Sequence, residues 1–183
     1  INKIPGLSVI TRDDYVNGKE IYDYDESKLV IRVNELGLTG FEVYDLFKEK
    51  YNIQFELAET YVVLAVTGPG DTAEDLTQLV EACEKLSRDY YGKKPPFHLP
   101  LTGYFARPQA VVAPRDAFYG VKKQVPLPEA CGEISGESIM IYPPGIPLVI
   151  PGERITEEII DHYNFYRKQN CIIMNDDGNI DFI

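Results

Sequence analysis

The chain has 183 residues, of which 44% are hydrophobic and 26% charged, and its formal net charge at pH 7 is −11. This composition is typical of a globular protein and excludes a disordered, collagen-like or coiled-coil chain, while the length allows one domain or two small ones. Because an acidic chain repels phosphate, we expect no nucleic-acid partner. The longest apolar runs, such as Tyr61–Val66, are too short to cross a bilayer, so we expect no membrane partner.

The cysteines and histidines argue against a metal site. Cys83, Cys131 and Cys171 form no CxxC pair, and His98 and His162 lack the spacing of metal ligands. An odd, scattered set of thiols is typical of a reducing compartment, so we expect a cytoplasmic protein. The chain begins without an initiator methionine and without a signal peptide, and we interpret it as a fragment of a longer polypeptide.

Three segments of the first half have strand patterns. Lys28–Val33 and Ile53–Leu57 alternate apolar and polar residues, whereas Tyr61–Val66 is continuously apolar and is expected to be covered on both faces. In the segment Ile53–Leu57, the alternation places the Glu56 side chain on the opposite face from Phe55 and Leu57, and therefore away from the buried side.

Two helices are predicted between and after these strands. Thr39 and Glu42 have the spacing of a capping box, and Asp71 with Glu74 marks a second helix start after a Gly-Pro-Gly turn. The order strand, helix, strand, strand, helix indicates a small sheet with helices packed on one face. A proline-rich stretch follows, and we place a domain boundary near residue 94, which divides the chain into residues 1–94 and 95–183.

The second half predicts a strand at Ile139–Tyr142, a helix capped by Thr156, and a closing hairpin of Cys171–Met174 with Ile180–Ile183. Between the first two lies the segment 142–153, with the sequence YPPGIPLVIPGE. Its prolines indicate a preorganised loop, and its apolar residues indicate packing against its own domain or against a partner.

The segment 130–147, ACGEISGESIMIYPPGIP, together with the following PGE, closely resembles the C-terminal signature of the ornithine/lysine/arginine decarboxylases. APRDAF at 113–118 is similar to the segment that precedes this signature, and GLTG at 37–40 looks like part of the family's small domain. The resemblance implies an α+β chain with a small aminotransferase-fold α/β domain followed by the Orn/Lys/Arg decarboxylase C-terminal domain.

The resemblance also implies a pyridoxal 5'-phosphate enzyme, in which a lysine that follows a histidine holds the cofactor. No His-Lys pair occurs in this chain, because Leu99 follows His98 and Tyr163 follows His162. The large aminotransferase-fold domain is therefore expected to be the partner that binds the cofactor. No catalytic residue can be assigned here, and no cofactor-binding residue is known.

The family resemblance implies that the full-length enzyme decarboxylates a basic amino acid, with arginine favoured over lysine or ornithine, in polyamine biosynthesis and as a homo-oligomer. Glu56 is the candidate for contacting the distal cation of the substrate, Glu59 is the alternate, and a solvated strand-end carboxylate is the competing interpretation. Tyr142, Pro143, Pro144, Gly145 and Glu153 are candidates for an interface or an active-site wall. A non-catalytic assembly or regulatory module built from the same domains remains the alternative function.

Overall fold

The computed structural model describes residues 1–100, 108–142, 145–169 and 171–175. The chain divides into two compact units, Ile1–Leu99 and Pro100–Ile183. The boundary predicted near residue 94 lies a few residues before this division. The mixture of helices and open antiparallel sheets confirms the predicted α+β class.

The first unit contains a four-stranded antiparallel sheet with the strand order β1-β2-β4-β3. Its strands are β1 (Ser8–Val9), β2 (Lys28–Arg32), β3 (Leu57–Ala58) and β4 (Val62–Val66). The pairing of β2 with β4 is the longest in this sheet, and it sets Val30 opposite Leu64 and Ile31 opposite Val63. The predicted strands around residues 28–33 and 61–66 are thus confirmed.

The strand predicted at Ile53–Leu57 is wrong over most of its length, because β3 begins only at Leu57. The reason lies in the preceding helix. Asn52 ends that helix with a left-handed φ of 53°, and the N–H of Ile53 donates to the carbonyl of Phe47 at 3.1 Å. Since this N–H still closes the helix, sheet pairing starts further along, where the N–H of Glu56 donates to Leu64.

The helices of the first unit are α1 (Arg12–Tyr15), α2 (Gly40–Tyr51) and α3 (Ala73–Tyr90). The capping box of α2 is confirmed, since the Thr39 hydroxyl accepts from the N–H of Glu42 and the Glu42 carboxylate accepts from the N–H of Thr39. The cap of α3 lies one residue later than predicted, at Thr72.

Helices α2 and α3 bury one side of the first sheet. Ile31 and Val63 from the sheet share a core with Phe47 of α2 and Leu86 of α3, and each of these side chains is at most about 1% exposed. Burying a large apolar side chain in this way stabilises a fold by about 1.5–3 kcal/mol. The other side of β4 is less covered, and Val66 is 47% exposed, so the expectation that this strand is covered on both faces is wrong within this unit.

The second unit contains a three-stranded antiparallel sheet with the order β6-β5-β7. Its elements are α4 (Pro114–Tyr119), β5 (Ile139–Tyr142), β6 (Ile146–Val149), α5 (Glu157–Lys168) and β7 (Ile172–Asn175). The strand at β5 and the helix capped by Thr156 are confirmed. Of the predicted closing hairpin, the first strand is present as β7 but pairs with β5, and residues 176–183 lie outside the described residues.

Strand β6 was not predicted, because Pro147 interrupts its sequence. Pro147 lies opposite Met140 on a strand that occupies the edge of the sheet. An edge strand tolerates proline, since one side of its backbone needs no partner. Part of the proline-rich segment is therefore regular structure rather than loop.

Candidate functional site

The glycine of the PGE turn, which we define as residues 150–153, is held by backbone contacts on both sides. The Gly152 N–H donates to the carbonyl of Ser135 at 2.8 Å, and its carbonyl accepts from the N–H groups of Val111 and Val112 at 2.8 and 3.1 Å. Gly152 has a φ of +88°, and a Cβ at this position would lie 2.2 Å from the Val112 oxygen. Only glycine fits here, because both the backbone conformation and the lack of space exclude a side chain.

The glutamate of the same turn uses its carboxylate within the turn. Its Oε2 accepts from the N–H of Ile150 at 2.9 Å, while the Glu153 N–H donates to the carbonyl of Ile150 at 3.1 Å. The Glu153 carbonyl also accepts from the N–H of Ser135 at 2.9 Å. The structure therefore shows Glu153 as the residue that closes the PGE turn, and its assignment to an interface or active-site wall stays a prediction.

Further backbone hydrogen bonds tie the turn to two distant segments. The N–H of Arg154 donates to Gln109 at 2.9 Å, the N–H of Ile155 donates to Glu133 at 2.9 Å, and the N–H of Gly132 donates back to Ile155 at 2.8 Å. Segments 109–112, 132–135 and 150–155 thus form one hydrogen-bonded unit. The sequence does not indicate these partners, because they are joined by main-chain groups that leave no pattern in it.

A cleft of about 820 Å³ lies beside this unit. It is lined by residues 112, 116–117, 120–125, 132–137 and 154–155, which include much of the decarboxylase-like signature. Its charged lining side chains are equally divided between the two signs: Asp116, Lys122, Lys123, Glu133, Glu137 and Arg154.

Several of these charges are already engaged within the unit. Lys123 and Glu133 form an ion pair at 2.7 Å, and the Lys122 ammonium lies 4.5 Å from the centre of the Phe118 ring. The Arg154 guanidinium donates to a backbone carbonyl at 2.7 Å. The balanced and partly paired charges give the cleft no strong preference for anions or cations.

The hairpin of β5 and β6 presents apolar residues at its turn. Tyr142 ends β5 and is 52% exposed, and Ile146 begins β6 and is 38% exposed. Gly145 has a φ of +92°, and its N–H donates to Ile141 at 2.8 Å, which closes the turn. Pro143 and Pro144 lie outside the described residues, and the role of this turn as an interface or active-site wall stays a prediction.

The two candidate substrate-binding carboxylates lie on the β3 side of the first sheet. Glu56 and Glu59 are both exposed, whereas Phe55 is 2% exposed, which agrees with the predicted direction of Glu56. Their backbone N–H groups donate to Leu64 and Val62 of β4 at 2.9 Å. Neither carboxylate has a hydrogen bond or an ion pair with residues that the structure describes, so both are available to a ligand or to water.

A histidine is buried in the second unit without hydrogen bonds. His162 of α5 is 1% exposed, and neither Nδ1 nor Nε2 has a partner among residues 1–100, 108–142, 145–169 and 171–175. Burial lowers the pKa of this imidazole from its ordinary value of 6.5, and the nearby carboxylates of Glu158 and Asp161 oppose the effect. The sequence showed no sign of this, since His162 lies on a helix with polar neighbours.

The described residues contain neither a cluster of metal ligands nor a membrane-spanning helix. In the part of the chain that the structure describes, no group of three or more His, Cys, Asp or Glu side chains is placed to hold a metal ion. Across the same residues, no helix is both long and apolar enough to pass through a bilayer.

Comparison with known proteins identifies relatives of both units. A family described as "Orn/Lys/Arg decarboxylase, C-terminal domain" matches residues 99–171. The arginine decarboxylase of Bacillus subtilis (strain 168) is 39% identical over 167 residues, which cover 88% of this chain and 33% of that protein. The chain therefore spans about a third of the length of this relative.

Two further proteins resemble the chain. The inducible lysine decarboxylase of Escherichia coli (strain K12) is 47% identical over 55 residues, or 28% of this chain and 8% of that protein. The crystal structure of the Francisella novicida lysine decarboxylase LdcF superposes with a TM-score of 0.61 at 20% identity, and covers 89% of this chain and 32% of that chain. At this identity the structural likeness shows the fold alone.

Proposed function

We propose that the chain is the C-terminal part of a basic amino-acid decarboxylase that uses pyridoxal 5'-phosphate, because residues 99–171 match the C-terminal domain of the Orn/Lys/Arg decarboxylases. Arginine is the favoured substrate, followed by lysine or ornithine. The observation that supports arginine is that the arginine decarboxylase of Bacillus subtilis matches 88% of the chain, whereas the lysine decarboxylase of Escherichia coli matches 28%. The full-length enzyme would act in cytoplasmic polyamine biosynthesis.

The residues of this chain do not fit a covalent site for the cofactor. All eleven lysines lie in the described part of the chain and all are exposed, so none occupies an enclosed pocket that could hold the ring. The cofactor is therefore assigned to the large aminotransferase-fold domain of the full-length enzyme, and the isolated chain is expected to be inactive. The large domain and further copies of the enzyme are the partners that this proposal requires.

The contribution of this chain would be to bind and orient the substrate. A basic amino acid carries a distal cation, and the exposed carboxylates of Glu56 and Glu59 have no competing partner among the described residues. A charge-assisted hydrogen bond to such a cation contributes about 1.5–3 kcal/mol. Since 1.4 kcal/mol is a factor of about ten, loss of the contact raises KM about tenfold or more.

The test uses the full-length protein that contains this chain, supplied with the cofactor. Release of carbon dioxide is measured with arginine, lysine and ornithine for the native protein and for Glu56→Gln and Glu59→Gln. Glu84→Gln, which removes an exposed carboxylate on α3, is the matched control. We expect activity with arginine, a raised KM in Glu56→Gln or Glu59→Gln, and an unchanged KM in the control.

The possible results separate the parts of the proposal. If no basic amino acid is decarboxylated, the enzymatic function is wrong and the non-catalytic assembly or regulatory module is favoured. If arginine is decarboxylated but neither variant at residues 56 and 59 changes KM, the function stands and the substrate-binding role of this segment is wrong.

A further inference from the structure

The buried His162 lies where a positive charge would have little compensation. His162 is 1% exposed, and Ile159 and Tyr163 of the same helix, which belong to the second hydrophobic core, are at most 1% exposed. The centre of the Tyr166 ring lies 6.3 Å from the centre of the imidazole. A protonated imidazole has two N–H donors, and among the described residues neither nitrogen has an acceptor.

Within the residues that the structure describes, the charged groups that interact with His162 lie on its own helix. Glu158 and Asp161 are the carboxylates that interact with the ring. Helix α5 packs against β6 and β7, whose sequences IPLV and IIMN contain no titratable side chain. In the described part of the chain, this core also contains the side chains of Tyr163, Tyr166 and Cys171.

We infer that α5 is an acid-sensitive element, in which uptake of a proton by His162 releases the helix from β6 and β7. Release exposes the imidazolium to water and removes the cost of holding it in an apolar core. Because β6 pairs with β5, the same event loosens the pairing of these two strands. The inference rests on the geometry of the second unit and does not depend on the proposed enzymatic function.

The direction of the pH effect follows from burial. The pKa of His162 is lowered in the packed state, so the released state binds the proton first as the pH falls through 6.5. The packing of α5 is therefore at full strength above pH 6.5. It weakens as the pH falls from 6.5 towards the lower pKa of the packed imidazole. One proton taken up on release changes the opening equilibrium by at most about tenfold per pH unit.

Hydrogen exchange measured by mass spectrometry tests this for the whole chain. Exchange of peptides that cover α5 is followed at pH 7.5, 6.5 and 5.5, corrected for the intrinsic pH dependence of exchange, with α3 peptides as an internal reference. We expect the protection of α5 to fall several-fold between pH 6.5 and 5.5. His162→Gln and His162→Phe should abolish this dependence, and His98→Gln, which removes the other histidine, should retain it.

Two results would overturn the inference. The first is protection of α5 that does not change with pH in the native chain, and the second is an equal pH dependence in the His162 variants. If both variants fail to fold, the His98→Gln protein provides a direct measurement, since only one imidazole then gives an NMR titration. A midpoint at or above the ordinary value of 6.5 would refute the inference.

Discussion

Replacement of Gly152 by alanine isolates the steric demand of the PGE turn. The added Cβ would lie 2.2 Å from the Val112 oxygen, and the φ of +88° is a conformation that alanine rarely adopts. The left-handed backbone costs about 1–2 kcal/mol. Relief of the overlap by a backbone shift costs about 1–3 kcal/mol more. The shift also weakens the hydrogen bonds from Val111 and Val112, each worth about 0.5–1.5 kcal/mol.

The matched control is Gly132→Ala in the same unit. Gly132 has a φ of +89°, but a Cβ added to it would meet no atom within 4 Å. This variant therefore loses only the conformational contribution of about 1–2 kcal/mol, whereas Gly152→Ala loses about 3–8 kcal/mol if both hydrogen bonds are lost. For a domain of about 60–100 residues, such as the second unit, each kcal/mol lost from the free energy of unfolding lowers Tm by about 4–8 °C.

Urea unfolding followed by hydrogen-exchange mass spectrometry reports the free energy of unfolding of the second unit separately from the first. We expect Gly152→Ala to be less stable than Gly132→Ala by about 2 kcal/mol or more. Equal losses in the two variants would refute the reasoning, because they would mean that the PGE turn can move to accommodate a side chain at no additional cost.

Two further predictions concern the first unit. Gly40→Ala should destabilise this unit by about 2 kcal/mol or more, because the added Cβ would lie 2.1 Å from a backbone carbonyl oxygen. The control is Gly70→Ala, whose Cβ would meet no atom within 4 Å and which should therefore change the denaturation midpoint little. Equal midpoints for the two variants would contradict this. Burial raises the pKa of the Cys83 thiol to about 12, so a thiolate-specific reagent at pH 8 should label the exposed Cys131 and leave Cys83 unreacted until the chain unfolds. Equally fast labelling of both thiols in the native chain would show that the core around Cys83 opens readily.

The elements that sequence analysis placed correctly are those encoded by neighbouring residues. The capping box of α2 needs only Thr39 and Glu42, and the strand β4 has a continuously apolar sequence. The strand expected at Ile53–Leu57 failed because the end of α2 used the N–H of Ile53, and β6 was missed because its edge position makes Pro147 acceptable. Both outcomes depend on neighbours that local periodicity does not describe.

The caps of α2 and α5, the strands β2, β4, β5 and β7, and the decarboxylase-like signature could all be read from the sequence. The direction of Glu56 also followed from the sequence, since Phe55 is buried and Glu56 exposed. The enclosure of Gly152 by backbone, the closing of its own turn by the Glu153 carboxylate, and the burial of His162 without a partner among the described residues became visible only in the folded chain. These properties arise where segments distant in sequence meet, because steric exclusion and desolvation depend on the surrounding atoms and not on the order of residues along the chain.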